Sequence, residues 1–110
     1  MNSDRLKRSM QKLKSNKNYE HWKTVCLNLK RRKTVIQAKN YQGTVGNKAI
    51  QEVISAKILY KCDIAMVITN SFYTTNAIKT ANASGVILVD RNGLEKILSE
   101  GSMYFNSLVS

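Results

Sequence analysis

Proline is absent from this chain, and histidine and tryptophan occur once each. Cysteines number two, Cys26 and Cys62, and 7 acids face 18 lysines and arginines. Without proline, nothing here resembles an extracellular stalk or a stiff linker. Two distant cysteines are too few for a metal framework or a disulfide scaffold, so both read as buried thiols. The single histidine, His21, lies in a polar stretch with no partner near it to make a catalytic base. The longest apolar run is Ile64-Ala65-Met66-Val67-Ile68, far short of the ~20 residues that cross a membrane. No apolar stretch follows Met1-Asn2-Ser3-Asp4-Arg5 that would serve as a signal peptide. The expectation is a reduced, cytoplasmic protein that enters no membrane.

What is present fits one small domain. The 110 residues are 43% apolar, within the globular range. A formal charge of +11 asks for an anionic partner, most often nucleic acid. The charge is uneven, however. Residues 1–48 hold 13 Lys+Arg and 2 acids (Asp4 and Glu20), whereas residues 49–110 hold 5 of each sign. A basic arm on a neutral domain describes the chain better than uniform basicity.

Periodicity divides the chain into elements. Leu6, Met10 and Leu13 mark a thin apolar stripe on a basic helix over 4–16, followed by a polar loop over 17–23. Residues 24–29 and 34–39 read as strands joined by the basic turn Lys30-Arg31-Arg32-Lys33. Ala49, Ile50, Val53 and Ile54 predict a helix over 47–61, with Asn47 as its N-cap. Residues 63–69 and 86–89 are continuous apolar strands of the kind buried on both faces. Between them a helix starts at Thr74 or Thr75 and ends at Gly85, and Asp90 caps a last helix carrying Leu94, Ile97 and Leu98. The tail from Gly101 to Ser110 carries no pattern. Two strands joined by a short turn pair antiparallel, and strands joined by helices pair parallel. The fold class is therefore α/β, a mixed sheet flanked by helices.

The most suggestive segment for chemistry is Val35-Ile36-Gln37-Ala38-Lys39. Gln37 and Lys39 project from one face at the end of a strand, where α/β sheets usually place ligands. A lysine there suits a developing oxyanion or a positioned water, and an amide oxygen suits a hard cation. A polar strand end that simply meets solvent is the competing reading, and the spacing leaves both open.

A longer set of landmarks goes further. Gln37-Ala38-Lys39-Asn40-Tyr41, Gly43, Val45-Gly46, Ala49-Ile50-Gln51-Glu52-Val53, Thr69-Asn70-Ser71-Phe72-Tyr73-Thr74, Ala77, Ala81, Asp90-Arg91 and Leu94 resemble the catalytic domain of Mrr-like restriction endonucleases, of the PD-(D/E)xK nuclease superfamily. The resemblance runs in register over residues 33–98. It implies a restriction-endonuclease-like core and Mg²⁺-dependent hydrolysis of DNA phosphodiesters. It further implies a Gln-x-Lys centre at Gln37 and Lys39, with Gln37 as a metal ligand. Asn40 stands where the family usually has a basic residue.

One departure matters more. The family places a metal-binding Asp a hairpin upstream of the Gln, a position that falls near Thr24, where this chain has no acid. Glu20 and Glu52 are the carboxylates able to substitute, and without either the metal site is impaired. Lys30, Arg31, Arg32, Lys33, Asn40, Tyr41 and Lys48 are the candidate DNA contacts. Residues 1–32 resemble the family poorly, as a shifted reading frame or truncated gene would leave them, and residues 99–110 form a tail. The leading function is a DNA endonuclease of the Mrr-like restriction type. The alternatives are a catalytically inactive nuclease fold that binds DNA, or a truncated remnant. DNA is the expected partner, with a second copy of the chain as a further candidate.

Overall fold

The computed structural model describes residues 21–109, and the helix expected over 4–16 lies outside them. Strand β1 (His21–Leu29) and strand β2 (Arg32–Asn40) are followed by helix α1 (Asn47–Leu59), strand β3 (Ile64–Thr69), helix α2 (Thr75–Ser84), strand β4 (Ile87–Val89), helix α3 (Arg91–Glu100) and helix α4 (Ser102–Ser107). The sheet order is β1-β2-β3-β4. The first pair is antiparallel and the other two are parallel. This is the mixed α/β sheet that the sequence pattern implies.

Alternation along the strands makes two cores, because successive side chains leave opposite faces. Val35, Ala65 and Val67 join Ile50, Val53 and Ala56 of α1 and Ala77 and Ala81 of α2. Ile36, Met66, Ile68 and Val89 join Leu94 and Ile97 of α3 with Phe105 and Val109 beyond it. The C-terminal residues, which carry no pattern in the sequence, are therefore part of this second core. Phe105 is only 2% exposed, the Arg32 guanidinium donates to the Val109 carbonyl, and the Lys96 ammonium lies 5.6 Å from the Tyr104 ring centroid. A short helix after a glycine leaves little periodicity to read, and its apolar residues are sorted only by the sheet that receives them.

Boundaries shift for identifiable reasons. β1 starts at His21 rather than 24, because β2 is long enough to pair His21 with Asn40 whatever the side chains' polarity. The basic turn contracts to Lys30 and Arg31, both at positive φ (50° and 66°). That conformation matches the right-handed twist of a two-residue hairpin, and Arg32 and Lys33 are already in the ladder.

Asn47 is not the cap of α1. Gly46 takes the extended cap conformation, and no side chain caps the helix. The pairing of Val45 with Tyr73 fixes where the chain turns inward, one residue before Asn47. At the other end Lys61 adopts φ 54°, which stops α1 at Leu59. Thr74 caps α2 through Ala77 N–H, Gly85 ends it in the left-handed conformation, and Asp90 caps α3 through Gly93 N–H, as the pattern implies. Cys26 is exposed, against expectation, because among the described residues no helix covers β1 on that face. Cys62 is buried, and that burial, with Cys26 beside it, pushes its thiol pKa up.

Candidate active site

The β2–β3 register carries the site. Gln37 lies opposite Thr24 on one side and Val67 on the other, and Lys39 lies opposite Trp22 and Thr69. Both side chains project from the face that α1 partly covers, since Val35 of the same alternation packs there. Gln37 is 8% exposed, and its Oε1 has no hydrogen-bond partner. Burying an amide oxygen unpaired costs about 1–3 kcal/mol. Such an oxygen is a ready acceptor for a donor or a ligand for a hard cation. Its surroundings therefore fit a divalent ion on that one side.

Lys39 is half-buried, and its ammonium sits 4.9 Å from the Tyr41 ring centroid, a distance at which the ring's negative face attracts the cation. Tyr41, expected as a DNA contact, thus seats the lysine. Asn40 is 1% exposed, and its Oδ1 accepts from the Asn70 amide, while Asn70 Oδ1 accepts from Tyr41 N–H at 2.9 Å. Asn40 therefore presents nothing to a DNA surface. With Asn70 it ties the end of β2 to the end of β3 directly beneath Lys39. Asn70 was visible in the sequence only as one landmark among several, because nothing local shows that it reaches across to the neighbouring strand.

The strand end is braced further. Ser71 Oγ donates to the Gly43 carbonyl, and Arg91 N–H donates to the Ser71 carbonyl at 2.8 Å. The Tyr73 hydroxyl lies 2.9 Å from the Val67 carbonyl and 3.0 Å from that of Val89. Burial lifts the Tyr73 phenol far above its ordinary range, and the Asp90 charge adds to this. Tyr73 is thus a neutral hydrogen-bond donor that stitches two strands and not an acid or base.

Other candidates fall elsewhere. Lys30 and Arg31 form the hairpin tip, and Arg32 and Lys33 begin β2. All four lie at the foot of the sheet, with Lys33 N–H held by Asp63 Oδ2 at 3.0 Å. Between Lys33 and Lys39 the strand rises ~20 Å, so the basic turn and the Gln-x-Lys pair occupy opposite ends. Lys48 is exposed in the first turn of α1 and Glu52 is half-buried in its second. Glu20 lies outside the described residues.

The family model for restriction endonucleases, the Mrr catalytic domain, matches residues 12–98. The chain belongs to that family. The match opens well upstream of residue 33 and takes in the whole β1–β2 hairpin, which pairs along its full length and places Leu29 in the core. In fold the Mrr-type chain is similar to the DNA modification-dependent restriction endonuclease AspBHI, with 13% identity and a TM-score of 0.55 over 92% of this chain. It spans 31% of that protein. No curated protein matches the sequence.

Proposed function

We propose that the chain hydrolyses DNA phosphodiesters as a nuclease of the Mrr restriction type, acting at Gln37 and Lys39. The observation that carries this reading is the adjacency of the two side chains on one face of β2, Gln37 with a buried, unpaired oxygen and Lys39 braced from below. Gln37 would be a ligand of Mg²⁺, with water and a phosphate oxygen completing the shell. A bound Mg²⁺ supplies charge neutralisation at the phosphate and a more acidic water. Lys39 holds positive charge where the phosphorane oxygens gain negative charge, a role that needs no proton transfer. The Tyr41 ring keeps its ammonium at that place. The test is relaxation of supercoiled plasmid in Mg²⁺ and in EDTA. Nicking in Mg²⁺ that EDTA abolishes supports the proposal, and intact plasmid under both conditions refutes it.

A second reading is favoured by Thr24. A neutral hydroxyl opposite Gln37 removes the anionic ligand that would be strongest there, which leaves a fold able to bind DNA without cutting it. Affinity for duplex DNA should then fall about tenfold or more between 50 and 200 mM salt, as expected for several phosphate contacts, while the plasmid stays intact. Binding that ignores salt would remove this reading.

A further inference from the structure

We infer that Cys26 and Cys62 form a thiol modification site, which a low-molecular-weight disulfide converts to a reversible intramolecular disulfide that fastens edge strand β1. The inference goes beyond the nuclease reading and does not depend on it.

The fold brings together two residues that the sequence keeps apart. Cys26 lies opposite Val35 in the β1–β2 ladder, and residues directly opposite in an antiparallel pair share a face. Val35 belongs to the core on the α1 side, and Cys62 packs in that same cluster. Cys62 arrives there from the connection between α1 and β3. Its N–H donates to the Lys57 carbonyl at 2.9 Å, and Asp63 N–H donates to the Lys33 carbonyl at 2.7 Å. Those two bonds fold the end of α1 down beside the start of β2. The Cys26 and Cys62 side chains come within hydrogen-bonding reach of each other, and both are free thiols.

Access divides the roles. Cys26 is exposed and Cys62 is buried, so an incoming disulfide meets Cys26 first. The Cys26 thiol loses its proton to solvent, and the thiolate attacks one sulfur of the small disulfide. That S–S bond breaks, one small thiol leaves with a proton, and Cys26 keeps the other half as a mixed disulfide. Cys62 then gives up its proton, its sulfur attacks that of Cys26, and the second small thiol departs. Two protein thiols are oxidised to one disulfide, and one small disulfide is reduced to two thiols.

The surroundings of Cys62 order these steps. Burial raises its thiol pKa most and Cys26 beside it adds to that, with Lys33 opposing and Asp63 adding. Once bonded to sulfur, Cys26 carries no charge. Its repulsion vanishes while the Lys33 attraction stays, so the Cys62 thiolate becomes easier to reach only after its partner is modified. The finished link encloses ~37 residues and gives β1, which among the described residues pairs with β2 alone, a second attachment.

The experiment treats the full chain with oxidised glutathione, without denaturant, and follows intact mass, non-reducing peptide maps and thermal melting. C26S and C62S run beside the unsubstituted chain, and circular dichroism establishes that each folds. The unsubstituted chain is expected to lose two hydrogens and to yield one peptide pair joined through Cys26 and Cys62. Dithiothreitol should reverse this. C62S should stop with a single glutathione on Cys26, whereas C26S should take up almost none, because a buried thiol is inert. The melting temperature of the linked chain should rise by roughly 10 °C, the shift that a loop of this size brings to a domain of about 100 residues. A lasting glutathione adduct on the unsubstituted chain overturns the inference, and so does a link between two copies. Equal uptake by C26S and C62S, a link that forms only in denaturant, no reaction at all, or equal melting of the linked and reduced chains would overturn it too.

Discussion

Alanine at Lys39 is expected to slow plasmid nicking by about 10²–10³-fold, the effect of removing one preorganised group that stabilises transition-state charge. Lys39 is half-buried and its ammonium lies over the Tyr41 ring, where reduced solvation makes its field stronger than that of a fully exposed lysine. Its support is specific, since the Asn40–Asn70 bond and the Asn70–Tyr41 bond hold the strand end in place. The loss should therefore appear mainly in turnover, with DNA affinity at low salt changed by much less. K79A, an exposed lysine on α2, serves as the control and should nick at the rate of the unsubstituted chain. A K39A protein that nicks as fast as the K79A protein would show that the charge at the strand end takes no part in the reaction.

The second large effect concerns stability. Truncating Phe105 to alanine should cost about 3–5 kcal/mol, the range for a fully buried aromatic ring. Small domains have only about 5–15 kcal/mol in total. The ring is among the largest fully buried side chains and lies in the cluster with Ile36, Met66, Leu94 and Ile97. In urea titration the midpoint should fall with an unchanged slope, the signature of lost stability without a new denatured state. A change below about 1 kcal/mol, typical of an average substitution, would mean that α4 is not part of the cooperatively folded unit. Met103 on the same helix is 85% exposed, and its truncation should be close to neutral.

Particular residues show how far local pattern reaches. Thr74, Gly85 and Asp90 sit where capping chemistry places them, because a cap depends on backbone groups within a turn of its own position. The run from Ala65 to Ile68 is buried, because a strand covered on both faces needs no polar residues. Asn47 breaks the same logic. Its type suits a cap, but the pairing of Val45 with Tyr73 moves the helix start and gives the cap to Gly46. Asn40 is another case, since a polar residue after a strand reads as solvent-facing until Asn70 arrives from the next strand to bury it. Cys26 was expected inside because cysteine usually is, yet the edge strand leaves it open. The basic run at 30–33 is legible as a turn, but not as lying at the opposite end of the sheet from Lys39.

By itself, then, the sequence determined the order of elements from β1 to α3, the mixed sheet, both ends of α2, the start of α3 and the place of the Gln-x-Lys pair on β2. Each of these follows from periodicity or from groups a few residues apart. Tertiary structure decided that Thr24 faces Gln37 in the ladder, that the Gln37 oxygen is buried and unpaired, that Tyr41 and Asn70 support Lys39, and that the C-terminal residues complete a core. These depend on strand register and on the hand of a crossover, which bring together residues far apart along the chain and which no local pattern encodes.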